Sequence, residues 1–544
     1  MSRFARDSVL LTAAITTAIT LIPAAVALAT NANNSWIGPA PANSTVGGNW
    51  STGGYWSQGY VPGANSANAD YVTVNNAGTL AYTVTAGAGV TDNQNIQSIY
   101  LNAGNQVAAK GPVSLTITNG GYIQTQQYSA LFLSDSGYDA TLTISGGTAA
   151  SSTLNLSGSG QYGFANIGDG VSAGNNYQVG TATVNVDNGG NLLNSRGYVV
   201  GNQSNGVINL AAGGSITTWF AGSLTLGASA PNANAPAGGT GTVNQTGGTF
   251  GVGRAVTIGD NAAGVYNLSG GSFNITNGGS NIAYVGVNAP GSLNVDGGTA
   301  NLAGLDIGGD AGTSTNHPNG LVTVRSGTLN TGLNFQGPGQ GIPGVIIGGS
   351  DGQGSGKLVV SGSQGSLNFT SAPGCAPLRM YSNGTLDFQI GTNGKVSTID
   401  AAYSSAGTQN DTRATIGLSG TLEIDLPTGF TPANGTVYTL LSTNVVNSTN
   451  NNGGVQTITP GIIITAGTGV YDGSTLLFTN TGLALSSVDN PANWSLSVVT
   501  AGSGSTETTL LDATYTATPE PSALALLTAA GAGILLLGRR KKWA

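Results

Sequence analysis

Two stretches decide the fold: Val265-Tyr266-Asn267-Leu268-Ser269-Gly270-Gly271-Ser272-Phe273-Asn274-Ile275 and Ser292-Leu293-Asn294-Val295-Asp296-Gly297-Gly298-Thr299-Ala300-Asn301-Leu302. Each is an alternating apolar and polar run, a glycine pair, and a second alternating run. Alternation with period two marks a strand, because successive side chains point to opposite faces. Leu293 and Val295 therefore face one way, and Ser292 and Asn294 the other. The glycine pairs supply positive φ at corners where side chains would clash. Weaker copies run over Leu142 to Thr148, Val184 to Leu192, Ile208 to Ile216, Val243 to Phe250, Val322 to Leu329 and Leu358 to Phe369.

A second signature alternates with the first, an Ile, Val or Leu directly before Gly. It occurs at Gly168, Gly201, Gly227, Gly259, Gly286, Gly308 and Gly348, which are 33, 26, 32, 27, 22 and 40 residues apart. Such spacing belongs to solenoids, with one supersecondary unit per repeat. No long stretch carries a 3.6-residue period, so helices are expected only at the two termini. The pattern predicts an all-β chain folded as a right-handed parallel β-helix (solenoid) with terminal caps. The irregular spacing requires variable loops that leave the coils. Several β-sandwiches in series are the alternative architecture.

Asn recurs between the apolar positions: Asn185, Asn209, Asn267 and Asn294 before the turns, and Asn274, Asn301 and Asn368 after them. Alternation turns these away from the core. Stacked coils would bring them within hydrogen-bonding reach on one face, as amide ladders.

Composition narrows the function. Charged residues are 7% of the 544, against about a quarter in ordinary globular domains. Of 14 basic residues, Arg3, Arg6, Arg539, Arg540, Lys541 and Lys542 lie at the ends, as do Asp7 and Glu520 of the 22 acids; the body keeps 8 and 20, a net of −12. That body offers no basic stripe for phosphates, so nucleic acid is not an expected partner. The single cysteine, Cys375, excludes an internal disulfide and reads as a small apolar filler.

Both ends read as addresses. Arg3 and Arg6 precede a mostly apolar run from Val9 to Val26, and Ala27-Leu28-Ala29 fits the small-x-small cleavage rule. Residues 1–29 are thus expected to be a Sec-type signal peptide, handled by the Sec export machinery, with cleavage directed by Ala27 and Ala29. At the other end, 523–537 is apolar and uncharged, and Arg539-Arg540-Lys541-Lys542 follows. A short helix there would span a bilayer with the basic tail in the cytoplasm and the body outside.

Thr518-Pro519-Glu520-Pro521-Ser522, the apolar segment and the basic tail resemble the PEP-CTERM sorting signal of Gram-negative bacteria. The resemblance covers about 26 residues. It implies recognition by an exosortase-type processing enzyme that cuts near Pro519, Glu520 and Pro521, transient inner-membrane anchoring, and release to the cell surface or extracellular matrix. Members are commonly linked to exopolysaccharide, which the resemblance makes a partner. The repeats from Tyr122 to Thr370 are similar to the autotransporter-associated β-strand repeats of bacterial surface proteins.

The expected organisation is a signal peptide at 1–29, an N-terminal cap and first strands at 30–110, the repeat array at 111–420, a C-terminal β cap at 421–512, a linker at 513–518 and the sorting segment at 519–544. Trp36, Trp50 and Trp56 fit a cap over the first coil, with a sugar-contact platform as their second reading.

Catalytic signatures are nearly absent. His317 is the sole histidine and sits in a turn; no CxxC exists. Gly348-Gly349-Ser350-Asp351-Gly352 matches GxSxG, but no helix follows to make a nucleophile elbow. Gly356-Lys357 lacks the first Gly and the Ser/Thr of a P-loop. Asp306, Asp310 and Asp351 would have to converge across coils to act as acids, bases or Ca²⁺ ligands, and turn carboxylates are the default. The expectation is no catalytic residue, no cofactor and no metal. The leading reading is an exported structural or adhesive rod. A polysaccharide-active β-helix enzyme and a carbohydrate-binding module are the alternatives.

Overall fold

The computed structural model describes residues 32–517 except 38–47, 65–69, 75–80, 89, 91–95, 103–110, 135–137, 148–149, 157–163, 170–179, 220–221, 229–238, 276–280, 310–318, 333–343, 350–353, 372–376, 404–415, 445, 450–454, 459–461, 465–482, 487–492 and 502–507. The predicted signal peptide (1–29) and sorting segment (519–544) lie outside the described residues. Among the described residues strands dominate, and all but one small hairpin, Val446–Thr449 with Val455–Ile458, join a single sheet.

Each coil presents three strand segments. Val256–Ile258 forms the first face, and Gly264–Ile275 bends to form the second and third. In the next coil Ala283–Val285 lies parallel to the former, and Gly291–Asn301 parallel to the latter. The same pairing links Asn319–Thr331 and Ser355–Ser371 onward. In earlier coils the second and third segments are separate strands, Thr181–Asp187 and Gly190–Asn194. The result is a β-helix-like stack. Strands separated by a whole coil in sequence pair in parallel, which a series of sandwiches would not do. Parallel pairing starts at Ala32–Ser35 and reaches Leu483–Ser486, so it is not confined to 111–420.

The Ile-Gly signature ends the first face. Gly259 has φ +81, and a Cβ there would stand 2.4 Å from the Ala289 carbonyl oxygen of the next coil. Handedness of the backbone and proximity of the next turn both demand Gly. The carbonyl of Gly259 accepts the N–H groups of Val287, Asn288 and Ala289 at 3.0, 3.2 and 3.2 Å. The Gly168 carbonyl accepts Asn202, Gln203 and Ser204 at 3.1, 3.0 and 2.9 Å in the same way. Each corner is thus closed on the one before it. From that glycine to the one opening the second face takes five residues at Gly201, Gly259 and Gly286, but 14 at Gly227 and 12 at Gly308. Much of the irregular repeat spacing is extra chain between the first and second faces.

The inward columns form one continuous core. Val243, Tyr266, Leu293, Val322 and Leu358 stack along the second face, with Phe250, Phe273, Ala300 and Leu329 along the third. Tyr266 and Phe273 stack at 4.3 Å, with Phe250 edge-on to both at 6.1 Å. Gln245 is a polar residue in the neighbouring inward column, between Leu210 and Leu268. It is fully buried, accepts the Tyr266 hydroxyl at 2.6 Å and donates to the Ser272 carbonyl at 2.9 Å, so its amide is satisfied. Near the C-terminal end the direction changes: Val437–Asn444 and Trp494–Ala501 both pair antiparallel with Thr508–Tyr515. Among the described residues no helix is long and apolar enough to cross a membrane.

Candidate functional site

The outward columns carry the chemistry. On the second face Asn209 Nδ2 donates to Asn185 Oδ1 at 2.9 Å, Asn244 to Asn209 at 3.1 Å, Asn267 to Asn244 at 2.9 Å and Asn294 to Asn267 at 2.9 Å. On the third face Asn301 donates to Asn274 at 2.7 Å, Asn330 to Asn301 at 2.8 Å and Asn368 to Asn330 at 2.8 Å. The amides form two ladders on two strips, not one, because each coil bends between its Asn positions. Every bond points toward the N-terminal coil, so the dipoles align and polarise one another. Each interior amide (Asn209, Asn244, Asn267, Asn301 and Asn330) uses one N–H and one lone pair in the ladder and has one of each left over. Beside the second ladder runs a hydroxyl column, Ser272, Thr299, Thr328 and Ser366.

Beyond Asn294 the first ladder's column continues as Thr323, Val359, Asp387 and Glu423. Lys357 reaches across it, 2.9 Å from Asp387 Oδ2 and 2.7 Å from Glu423 Oε2. The Asp387 side chain is 1% exposed. Burial pushes its carboxyl above the ordinary range, and the hydrogen bond and charge of Lys357 pull it down without cancelling that; Asp425 and Glu423 add to the upward push. Burial lowers the Lys357 ammonium, but the bonds and charges of Glu423 and Asp387 outweigh it and hold the group above its usual value.

The predicted site residues fare differently. Trp36, Trp50 and Trp56 do come together, with Trp56 centred 5.0 Å from Trp36 and 4.9 Å from Trp50, both edge-on. They are 9%, 0% and 1% exposed, and Trp56 Nε1 donates to the Trp50 carbonyl. The sugar platform is therefore corrected: no indole face is open for a pyranose. Asp306 is buried on the first face beside Tyr284, whose phenol is pushed up by burial and by the Asp306 charge. Asp310, Asp351, Ser350, His317 and Cys375 lie outside the described residues, as do Ala27, Ala29, Pro519, Glu520, Pro521, Arg539, Arg540, Lys541 and Lys542. Among the described residues no three His, Cys, Asp or Glu side chains gather into a metal site. A shallow open hollow near the N-terminal end is lined by Gly48, Asn49, Thr83, Thr85 and Gly87, which bring no titratable group.

Sequence reading missed two rungs, Asn244 and Asn330, though Val243-Asn244 precedes a glycine pair and Leu329-Asn330 follows a turn. It also missed the Lys357, Asp387 and Glu423 cluster. No family model, curated protein or solved structure matches the chain.

Proposed function

We propose that this is an exported, non-catalytic surface or extracellular-matrix protein, a right-handed β-solenoid rod with structural or adhesive duty in exopolysaccharide or biofilm. The observation that carries the reading is the pair of amide ladders on one continuous core. A polar exterior made by repetition suits a rod, whereas an enzyme needs convergent acid and base groups. The charged cluster is internally paired, which favours a structural part for it. Right-handed winding follows the general preference of parallel crossovers. The tryptophan cluster and the antiparallel strands near the other end act as caps that keep open coil ends from associating.

In this proposal the PEP-CTERM-like tail resides briefly in the inner membrane and an exosortase-type enzyme removes it. Mass spectrometry of the exported protein tests this. The expected form begins near Thr30 and lacks the basic tail, while Glu520→Ala keeps it. An intact tail on the exported wild-type protein would refute sorting.

A further inference from the structure

Toward the N-terminal end, the column that carries the first amide ladder is made of hydroxyls instead. Parallel pairing sets Thr85, Thr116, Thr143 and Asn185 on successive coils, and Thr83, Ser114, Thr141 and Thr183 in a second column beside them. Val84, Leu115, Leu142 and Val184, which lie between the two columns in sequence, are all 0% exposed, so alternation turns every hydroxyl outward. The hydroxyl side chains are part-exposed, and neither column carries a charge. Thr143 Oγ1 accepts the last ladder bond, from Asn185 Nδ2 at 3.5 Å. The shallow hollow that includes Thr83 and Thr85 opens on the same end of this grid.

All but one of these hydroxyl residues are Thr, with Ser114 the exception. A β-branched side chain is restricted at χ1, so each hydroxyl and its methyl are held in place rather than swept about. The buried residues between the columns fix the backbone beneath them. The grid is thus rigid, uncharged and periodic in two directions. Coils stand ~4.8 Å apart, and residues i and i+2 along a parallel strand ~6.6 Å apart.

We propose that this grid binds ice. In ice each water makes tetrahedral hydrogen bonds of about 2.75 Å. Oxygens two bonds apart therefore stand ~4.5 Å from each other, and the lattice repeats along its axis every ~7.3 Å. Both spacings agree with the grid to within about a tenth. Over the three coil steps the offset along the solenoid reaches only ~1 Å, less than half of one hydrogen bond. Each hydroxyl can take the place of a lattice water, because it donates one bond and accepts others. The methyls between them hold no water of their own. A dissolved glycan is the poorer fit, since the grid offers it neither a groove nor an aromatic face.

This goes beyond the matrix reading and does not need it: ice binding by the purified chain and removal of the tail can each fail alone. The test is the gap between the melting and freezing temperatures of a small ice crystal held in a solution of the full chain, with crystal shape recorded. The parent should open a gap and facet the crystal. Thr116→Tyr puts a ring at the centre of the grid and should lose both effects. Thr143→Lys puts a strongly hydrated charge there and should lose them as well. Thr225→Tyr makes the same exchange on the first face, at a part-exposed position between buried Leu224 and Leu226, and should keep them. Tyr suits a strand, so the circular dichroism melts of the two Tyr variants should match the parent. Round crystals with no gap for the parent would overturn the proposal. So would equal loss in Thr116→Tyr and Thr225→Tyr, unchanged activity in both grid variants, or a grid that retains the chain on microcrystalline cellulose but leaves ice unaffected.

Discussion

The interior of an amide ladder should matter more than its end. Asn267 donates to Asn244 and accepts from Asn294, both at 2.9 Å, while Asn294 makes a single ladder bond, back to Asn267. A neutral hydrogen bond contributes about 1 kcal/mol net. Asn267→Ala removes two, for a loss of about 2 kcal/mol at most. The strip is only part-buried, so Asn244 Oδ1 and Asn294 Nδ2 regain water, and about 1–2 kcal/mol is the expected range. Asn and Ala are both poor strand formers, so propensity does not confuse the comparison. Repeat arrays do not unfold as one unit, which makes local hydrogen exchange the better assay. Amides of Val265 to Leu268 and Leu293 to Val295 should exchange about 5–30-fold faster in Asn267→Ala. In Asn294→Ala the increase should be only about 2–5-fold. If the two variants behave alike, or if neither changes exchange, the ladder is a by-product of stacking and contributes nothing.

Two further outcomes follow from the corner and the cluster. Gly259→Ala combines left-handed backbone, at about 1–2 kcal/mol, with a Cβ only 2.4 Å from the Ala289 oxygen, whereas Gly362 has φ +71 and open space within 4 Å. The thermal midpoint of Gly259→Ala should fall well below that of Gly362→Ala, and equal midpoints would remove the close-approach argument. The Asp387 carboxyl, raised above its ordinary 3.8 chiefly by burial, binds its proton more readily folded than unfolded. That stabilisation is present below 3.8 and is lost as pH rises through the raised value. The midpoint of Asp387→Asn should therefore gain on the parent as pH rises from about 4 to 7, and a pH-independent difference would contradict the shift.

The fold was legible because its signals are local. Alternation around Gly270-Gly271 and the Gly after Ile258 specify strands and corners without reference to any other coil. Parallel stacking followed because each short unit leaves an apolar face that only another unit can cover. What stayed hidden depends on register. Lys357 meets Glu423 from 66 residues away, and no spacing rule connects them. Trp219 and Trp50 are the same residue type near similar Gly-rich turns, yet one is 59% exposed and the other fully buried. Only the position of the neighbouring coil separates them.

The same stacking explains why charge is scarce. In a parallel stack each outward residue sits one rung from its counterpart above and below, about 4.8 Å away. Like charges at that distance repel by about 0.9 kcal/mol in bulk water and about 3.5 kcal/mol at an effective dielectric of 20. A column of Asp or Lys would accumulate that cost at every rung. An amide carries donor and acceptor together, so it bonds to copies of itself without limit. Where carboxylates do succeed each other in the column, at Asp387 and Glu423, Lys357 lies within 2.9 Å of both. The scarcity of charge and the asparagine ladders are therefore one consequence of the fold, and the Lys357 cluster is the arrangement that a charged pair of rungs requires.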